Sequence, residues 1–229
     1  MRVRPARAVA LCVVVAVAAA CAPEEEPMEP IDDHPGDVEP LPAPEETGPR
    51  SLEEVLAERR SVRTYADRAL SEAEIGQLLW AAQGLSDPSG KRTAPSAGAT
   101  YPLEVHLATA GGLAHYDPEA HSLERLGTGD LRGALADAAL GQESVAEAPV
   151  VIVLSGIVER TEGRYGERAE RYVVLEAGHA AQNVLLQAVA LDLASVPIGA
   201  FDDDEVRAVL GLDERHTPLY LLPVGAPGS

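Results

Sequence analysis

Residues 172–193 form the longest segment with helical spacing in the chain. Val173, Val174, Leu175, Val184, Leu185, Leu186, Val189 and Leu191 are distributed around it. A helix that is apolar on most sides belongs inside a domain. Its polar residues Glu176, His179, Asn183 and Gln187 recur every three or four positions and therefore share one stripe. Such a helix needs other layers to cover it, and the remaining sequence supplies candidates.

Ser51-Leu52-Glu53-Glu54 and Ser71-Glu72-Ala73-Glu74 both have a Ser followed three residues later by Glu, the pattern of a helix capping box. The first predicts a helix faced by Leu52, Val55 and Leu56. The second predicts a helix through Ile75, Leu78, Leu79 and Ala82, stopping near Gly84. Residues 85–102, rich in Ser, Gly, Pro, Lys and Thr, read as a long loop. Leu103–Ala110 alternates as a strand, Gly111-Gly112 signals a hairpin, and short strands follow at 113–116 and 123–126. Asp130–Leu140 reads as a helix. Pro149–Leu154 reads as a strand buried on both faces. After the long helix come a short strand or turn at Val196–Phe201, an acid-capped helix up to Gly211, and a last strand from Pro218 to Val224. The order predicts an α+β domain: a mostly antiparallel central sheet flanked by helices around a long buried helix.

The chain has 229 residues, 37 acidic against 18 basic, and a formal charge of -19, which excludes generic nucleic-acid binding. Residues 1–21 have a basic start (Arg2, Arg4, Arg7) and an apolar run from Ala8 to Ala20 too short to span a bilayer. They end Ala18-Ala19-Ala20-Cys21, which resembles a lipoprotein signal with lipidation at Cys21. Ordinary signal-peptidase cleavage is the alternative. Either implies export, and lipidation a membrane-anchored protein on the envelope or periplasmic side. Cys12 and Cys21 are the only cysteines, so the chain beyond the leader has no disulfide, no Cys nucleophile and no Cys-ligated metal. Residues 22–49 hold ten acidic residues, no Lys or Arg and eight prolines, and read as a disordered spacer. The domain expected at 50–229 keeps 27 acidic and 15 basic residues.

Against that acidic background, Arg59-Arg60-Ser61-Val62-Arg63-Thr64-Tyr65 gathers three guanidiniums at a helix end. Arg there can simply complement the helix dipole. Three rigid forks together also suit a multiply charged anion such as a phosphate. Glu176-x-x-His179 has di-iron spacing but no second such pair, so hydrogen bonding within a core or subunit contact is preferred to a metal. Gly127-Thr128-Gly129-Asp130-Leu131-Arg132-Gly133 is one residue off a dinucleotide fingerprint and follows no buried strand, so a helix cap by Asp130 explains it. No G-x-S-x-G supports a hydrolase.

Four blocks in this order resemble the nitroreductase superfamily, in its SagB/ThcOx-type dehydrogenase branch. They are Arg59–Tyr65, Pro95-Ser96-Ala97-Gly98-Ala99-Thr100-Tyr101-Pro102-Leu103-Glu104, Glu176–Asn183, and Val196-Pro197-Ile198-Gly199-Ala200-Phe201. The resemblance runs from about residue 50 to the C-terminus. It implies an FMN-dependent oxidoreductase with two sites at a homodimer interface and no Rossmann fold. Arg59, Arg60, Ser61 and Arg63 would hold the FMN phosphate and ribityl chain. Pro95, Ser96 and Ala97 would approach from the partner subunit, and Pro197, Ile198, Gly199 and Ala200 would line the flavin ring. Three positions depart from the family pattern: Ala99 stands where many relatives have Asn, the last residues are not basic, and Arg164-Tyr165-Gly166 replaces a Lys-Tyr-Gly. Arg164 cannot serve as a base, while Tyr165 can donate a proton, so these two are the candidate catalytic residues. A solvated loop is the plain alternative for both. The expected chemistry is hydride transfer through flavin N5, from NAD(P)H in the cytoplasm or, for an exported protein, from a quinol or redox partner. Two other readings stay open: a non-enzymatic flavin-binding lipoprotein, and a peptide azoline dehydrogenase.

Overall fold

The computed structural model describes residues 36–228. In chain order these form β1 (Val38–Pro40), α1 (Leu52–Glu58), α2 (Glu72–Gln83), β2 (Leu103–Thr109), β3 (Gly112–Asp117), β4 (Ser122–Thr128), α3 (Arg132–Ala138), α4 (Glu143–Glu147), β5 (Val150–Ile157), α5 (Glu159–Tyr165), α6 (Ala169–Ala190), β6 (Ala194–Ser195), α7 (Asp203–Leu210) and β7 (His216–Gly225). One sheet runs β1-β4-β3-β2-β5-β7-β6, and every strand pairing in it is antiparallel. This is the expected α+β architecture.

Strand β5 is buried at all eight positions because helices cover both sheet faces. Ile152 and Leu154 pack with Leu103, Val105 and Leu107 against α2 and α6. Val151 and Val153 pack with Ala108 against α3, α4 and α7. The long helix α6 lays Val173, Ala177, Ala180, Ala181, Val184 and Ala188 on the first face. Its small residues permit close approach, and Gly156 of β5 completes the fit: a Cβ there would lie 2.4 Å from Val173 Cγ1. The helix begins three residues earlier than the sequence predicts. It is also not buried all round, since Val174 is 52% and Leu175 51% exposed.

Both predicted capping boxes form, with Ser51 and Glu54 on α1 and Ser71 and Glu74 on α2 exchanging hydrogen bonds. Asp202 caps α7 by accepting from the Asp204 and Glu205 amides. The reading of residues 22–49 as a disordered spacer requires correction where they are described. Val38–Pro40 pair with Ser122–Glu124 at the sheet edge, and Leu41 packs on the core. The Gln77 amide exchanges two hydrogen bonds with the Glu45 backbone, and the Pro42 carbonyl meets His121 Nε2 at 2.9 Å. An unpaired edge strand offers a row of free backbone groups, and a Pro-rich extended segment can satisfy them without donating from every residue. Residues 22–35, the leader at 1–21 and its Cys21 lie outside the described residues.

Candidate active site

The sequence-predicted residues fall into two groups at different ends of α6. The first begins where α1 ends, with Arg59 at its C-cap. Beyond it Ser61 forms a parallel bridge with Ser195, and the Val62 amide donates to the Ser195 carbonyl at 3.1 Å. This bridge sets Arg59–Arg63 beside the segment Ser195–Ala200. Arg60 donates to the Ala57 and Arg59 carbonyls, so for this residue the helix-end reading holds. The guanidiniums of Arg59 and Arg63 make no ion pair or hydrogen bond among the described residues. Arg50, Arg68, Arg132, Arg160, Arg207 and Arg215 each meet a carboxylate. In so acidic a chain, two uncommitted cations four residues apart on one short segment suit an anion.

Pro197 is half-buried, and buried Ile198 exchanges two 2.9 Å backbone bonds with Leu221. That pairing fixes the turn while leaving Gly199 and Ala200 exposed, their amides donating to nothing among the described residues. Tyr65 belongs to the scaffold here. Its hydroxyl lies 3.3 Å from the Val62 and Pro223 carbonyls, and burial pushes its phenol well above the usual range.

The second group is the turn Pro95–Tyr101. Ser96 Oγ accepts the Tyr101 amide at 2.9 Å, and Gly98, Ala99 and Tyr101 all have positive φ (63°, 54° and 44°). Two non-glycine residues in that region mark a strained, over-determined turn. The clamp is α5, a helix where the sequence suggests a loop. Thr161 meets Thr100 at 2.8 Å, Arg160 donates to the Tyr101 carbonyl at 3.3 Å, and Arg164 donates to the Gly98 carbonyl at 3.1 Å. Arg164 and Tyr165 lie directly over Gly98, where a Cβ would come within 2.8 Å of Arg164 Cδ and the Tyr165 hydroxyl. The structure thus brings both candidate catalytic residues to the Ser96 turn. The solvated-loop alternative is corrected in part: both residues lie in the last turn of a helix, where Tyr165 is half-buried and Arg164 remains exposed.

Beneath this turn lies a cluster that sequence reasoning did not assemble. Arg92 stacks over the Tyr101 ring at 4.6 Å and donates to Gln83 Oε1 at 3.0 Å. Glu176, 2% exposed on α6, faces Ser96, Arg92 and Gln83. Burial pushes its carboxyl up to about 7, against the opposing pull of Ser96, Arg92 and Gln83. Neither Glu176 Oε1 nor Gln83 Nε2 completes a hydrogen bond. Elsewhere on the polar stripe, Asn183 donates to the Ala81 carbonyl at 3.0 Å and Gln187 accepts from Gln77 at 3.4 Å. These ties join α6 to α2, while His179 is exposed.

Among the described residues no group of three or more His, Cys, Asp or Glu is arranged to hold a metal. A cleft of about 580 Å³ opens on the sheet face opposite α6 and includes His106, His115 and His216. His106 and His115 lie 5.2 Å apart between ring centres. Glu104 accepts from His115 at 2.6 Å and pairs with Arg160; burial opposes its ionisation, yet these partners hold it at about 2.

The two groups do not meet within one chain. Fourteen residues of α6 separate Glu176 from Ala190, roughly 21 Å of helix at 1.5 Å per residue. The arginine cluster adjoins the segment after that far end.

The nitroreductase family model matches residues 56–226. The chain belongs to the nitroreductase family. A nitroreductase-like protein of Methanocaldococcus jannaschii is 45% identical over 180 residues, 76% of this chain and 90% of that protein. The microcin B17-processing protein McbC of Escherichia coli is 30% identical over 158 residues, 64% of this chain and 58% of McbC. Among solved structures, a nitroreductase-like protein of Ralstonia eutropha superimposes with a TM-score of 0.77 at 28% identity, covering 89% of this chain and 98% of that one. A further nitroreductase fold, from Desulfovibrio desulfuricans and solved in complex with FMN, gives 0.60 at 23% identity, covering 79% and 88%. All four blocks that suggested this family from sequence fall inside the matched span.

Proposed function

We propose that this nitroreductase-family oxidoreductase uses FMN in sites completed between two copies of the chain, each taking one group of residues from each copy. The observation that carries the reading is the Ser61–Ser195 bridge, which pairs the segment bearing the uncommitted guanidiniums of Arg59 and Arg63 with the segment that leads to the free amides of Gly199 and Ala200. A phosphate needs the first, and an electron-rich ring edge needs the second. FMN, the ligand named for the Desulfovibrio desulfuricans protein of this fold, carries both a phosphate and such a ring. FMN, when bound, supplies two-electron hydride transfer through its N5.

The chain's own residues then have distinct jobs. Arg59, Ser61 and Arg63 hold the phosphate and ribityl chain, while Arg60 stays on the carbonyls at the end of α1. Pro197 and Ile198 wall the ring, while Gly199 and Ala200 present backbone donors and leave its face open. Pro95, Ser96 and Ala97 close over it from the partner, with Arg164 and Tyr165 fixing that turn and Tyr165 placed to deliver a proton. The test is flavin retention by the purified full chain. Wild type carries flavin absorbance that a panel of nicotinamide, quinol and dithionite reductants bleaches. Arg63→Glu loses at least tenfold in FMN affinity, because it replaces a cation with an anion at a phosphate. Unchanged affinity in that variant removes the proposed phosphate site.

The likeness to McbC favours a second reading, dehydrogenation of peptide-bound azolines in the SagB manner. Bleaching by an azoline peptide, but not by nicotinamides or quinols, selects it. A chain that binds flavin yet is bleached by none of these is the non-enzymatic alternative.

We also place the protein outside the cytoplasm, anchored by lipid on Cys21. A Cys21→Ser substitution moves the chain from the membrane pellet to the soluble fraction, and an unaltered pellet discards the anchor.

A further inference from the structure

Glu176 is a carboxylate at 2% exposure in an apolar layer, and α2 and the loop after it bring polar groups to it. Gln83 reaches it from the end of α2, and Ser96 and Arg92 from the loop above. Tyr101 lies under the Arg92 guanidinium, and the loop's other titratable groups, Asp87 and Lys91, pair with each other at 3.4 Å. Glu104 of β2 acts on the same Arg92, and β5 below carries no titratable side chain. Arg164 and Tyr165 press on the turn at Gly98. The Glu176 Oε1 and Gln83 Nε2 atoms are buried and unpartnered. A buried polar pair left open beside a strained turn is unusual and points to a second arrangement of the same groups.

The hydroxyl of Ser96 has one proton to give and two lone pairs, one already taken by the Tyr101 amide. If Glu176 is ionised, the Ser96 proton turns inward to the carboxylate. If Glu176 is neutral, its own O–H donates to the second lone pair of Ser96, and the Ser96 proton is free to turn outward. We propose that Glu176 is a positioning residue that sets the hydrogen-bond polarity of Ser96, neutral Glu176 making Ser96 a donor to the ligand beyond the turn and ionised Glu176 withdrawing that donor. This rests on the reading above that the ligand is FMN, whose pyrimidine oxygens accept hydrogen bonds. One proton is taken up at Glu176 for each outward-facing Ser96 and nothing else is exchanged.

The test is FMN affinity of the full chain between pH 5.5 and 8.5. Wild type weakens several-fold as pH rises through about 7, the value toward which burial drives the Glu176 carboxyl. Glu176→Gln, whose amide donates to Ser96 at every pH, binds as tightly as wild type does at pH 5.5 and has a flat profile. Ser96→Ala is also flat, at the weaker level of wild type above pH 8. A role confined to packing leaves the wild-type slope in both variants, and that result overturns the proposal. If FMN binds none of the proteins at any pH, the flavin reading falls separately. The coupling is then read in the free chain by hydrogen exchange of residues 95–101, relative to intrinsic rates. Protection depends on pH in wild type and not in Glu176→Gln; identical dependence in the two overturns it.

Discussion

At the residue scale, two buried titratable groups act on stability in opposite directions. Glu176 is driven up to about 7, whereas a carboxyl in the unfolded chain titrates near ~4.3. Its folded form therefore binds more protons between those values. The stability it confers is complete below about pH 4.3 and is lost as pH rises toward 7. His106 is the reverse case. Burial, followed by repulsion from His115, lowers it to about 3 against an unfolded value of ~6.5. Its contribution is complete above about pH 6.5 and is lost as pH falls toward 3. Between pH 4.5 and 6.5 the two slopes, each up to ~1.4 kcal/mol per pH unit, oppose one another. The wild-type profile there should be nearly flat, with Glu104 and its partners contributing only at lower pH. Urea denaturation across this window separates them. Glu176→Gln becomes more stable as pH rises and exceeds wild type by ~1–3 kcal/mol at pH 8. His106→Phe shows the opposite slope. Two variants that both keep the flat wild-type curve contradict the assignment. Neither group's role was legible in the sequence. Glu176 is visible as part of a stripe, but its partners Gln83 and Arg92 come from about ninety residues away, and burial depth leaves no mark on a one-dimensional pattern. The arginine cluster was legible because charge is, and it stands out in an acidic chain.

At the element scale, the sequence signals that worked were local and chemical. Capping boxes placed α1 and α2, and acid at the helix start placed α7. Helices α4 and α5 were missed for a physical reason. They span five and seven residues with no side-chain N-cap bond, so neither hydrophobic period nor capping pattern has room to show. Tertiary packing holds them instead, and α5 matters because it clamps the Ser96 turn. The tightest point of that clamp is Gly98, where a side chain is excluded by a φ of 63° and by Arg164 and Tyr165. Gly98→Val should cost ~1–3 kcal/mol in thermal or urea denaturation and should loosen FMN binding without touching the arginines. Stability and affinity equal to wild type would show that α5 does not constrain the turn. The strap at residues 36–49 was misread because composition alone argues for disorder. What orders it is the unpaired edge of β4, supplied by a segment more than eighty residues later.

At the scale of the whole molecule, distance and uncovered surface both favour two copies. The two halves of the proposed site stand roughly 21 Å apart along α6 in one chain. Val174 and Leu175 on α6 and Leu52 and Leu56 on neighbouring α1 are half or more exposed. Burying such side chains contributes ~1.5–3 kcal/mol each, so the apolar face at each end of α6 can help hold two copies together while a partner's Ser96 turn approaches the arginine cluster. Leu175→Lys places a charge in one such face without touching either half of the site. Sedimentation should show a monomer, and gel filtration at micromolar protein should show the flavin lost with the dimer. A monomer that keeps FMN at wild-type affinity means that one chain builds the site alone. A dimer that persists means that the copies meet on another surface. Dimer and flavin lost together, with Arg59 and Arg63 intact, tie cofactor binding to the pairing of chains, because the free guanidiniums then hold a phosphate only when a second copy closes over the ring.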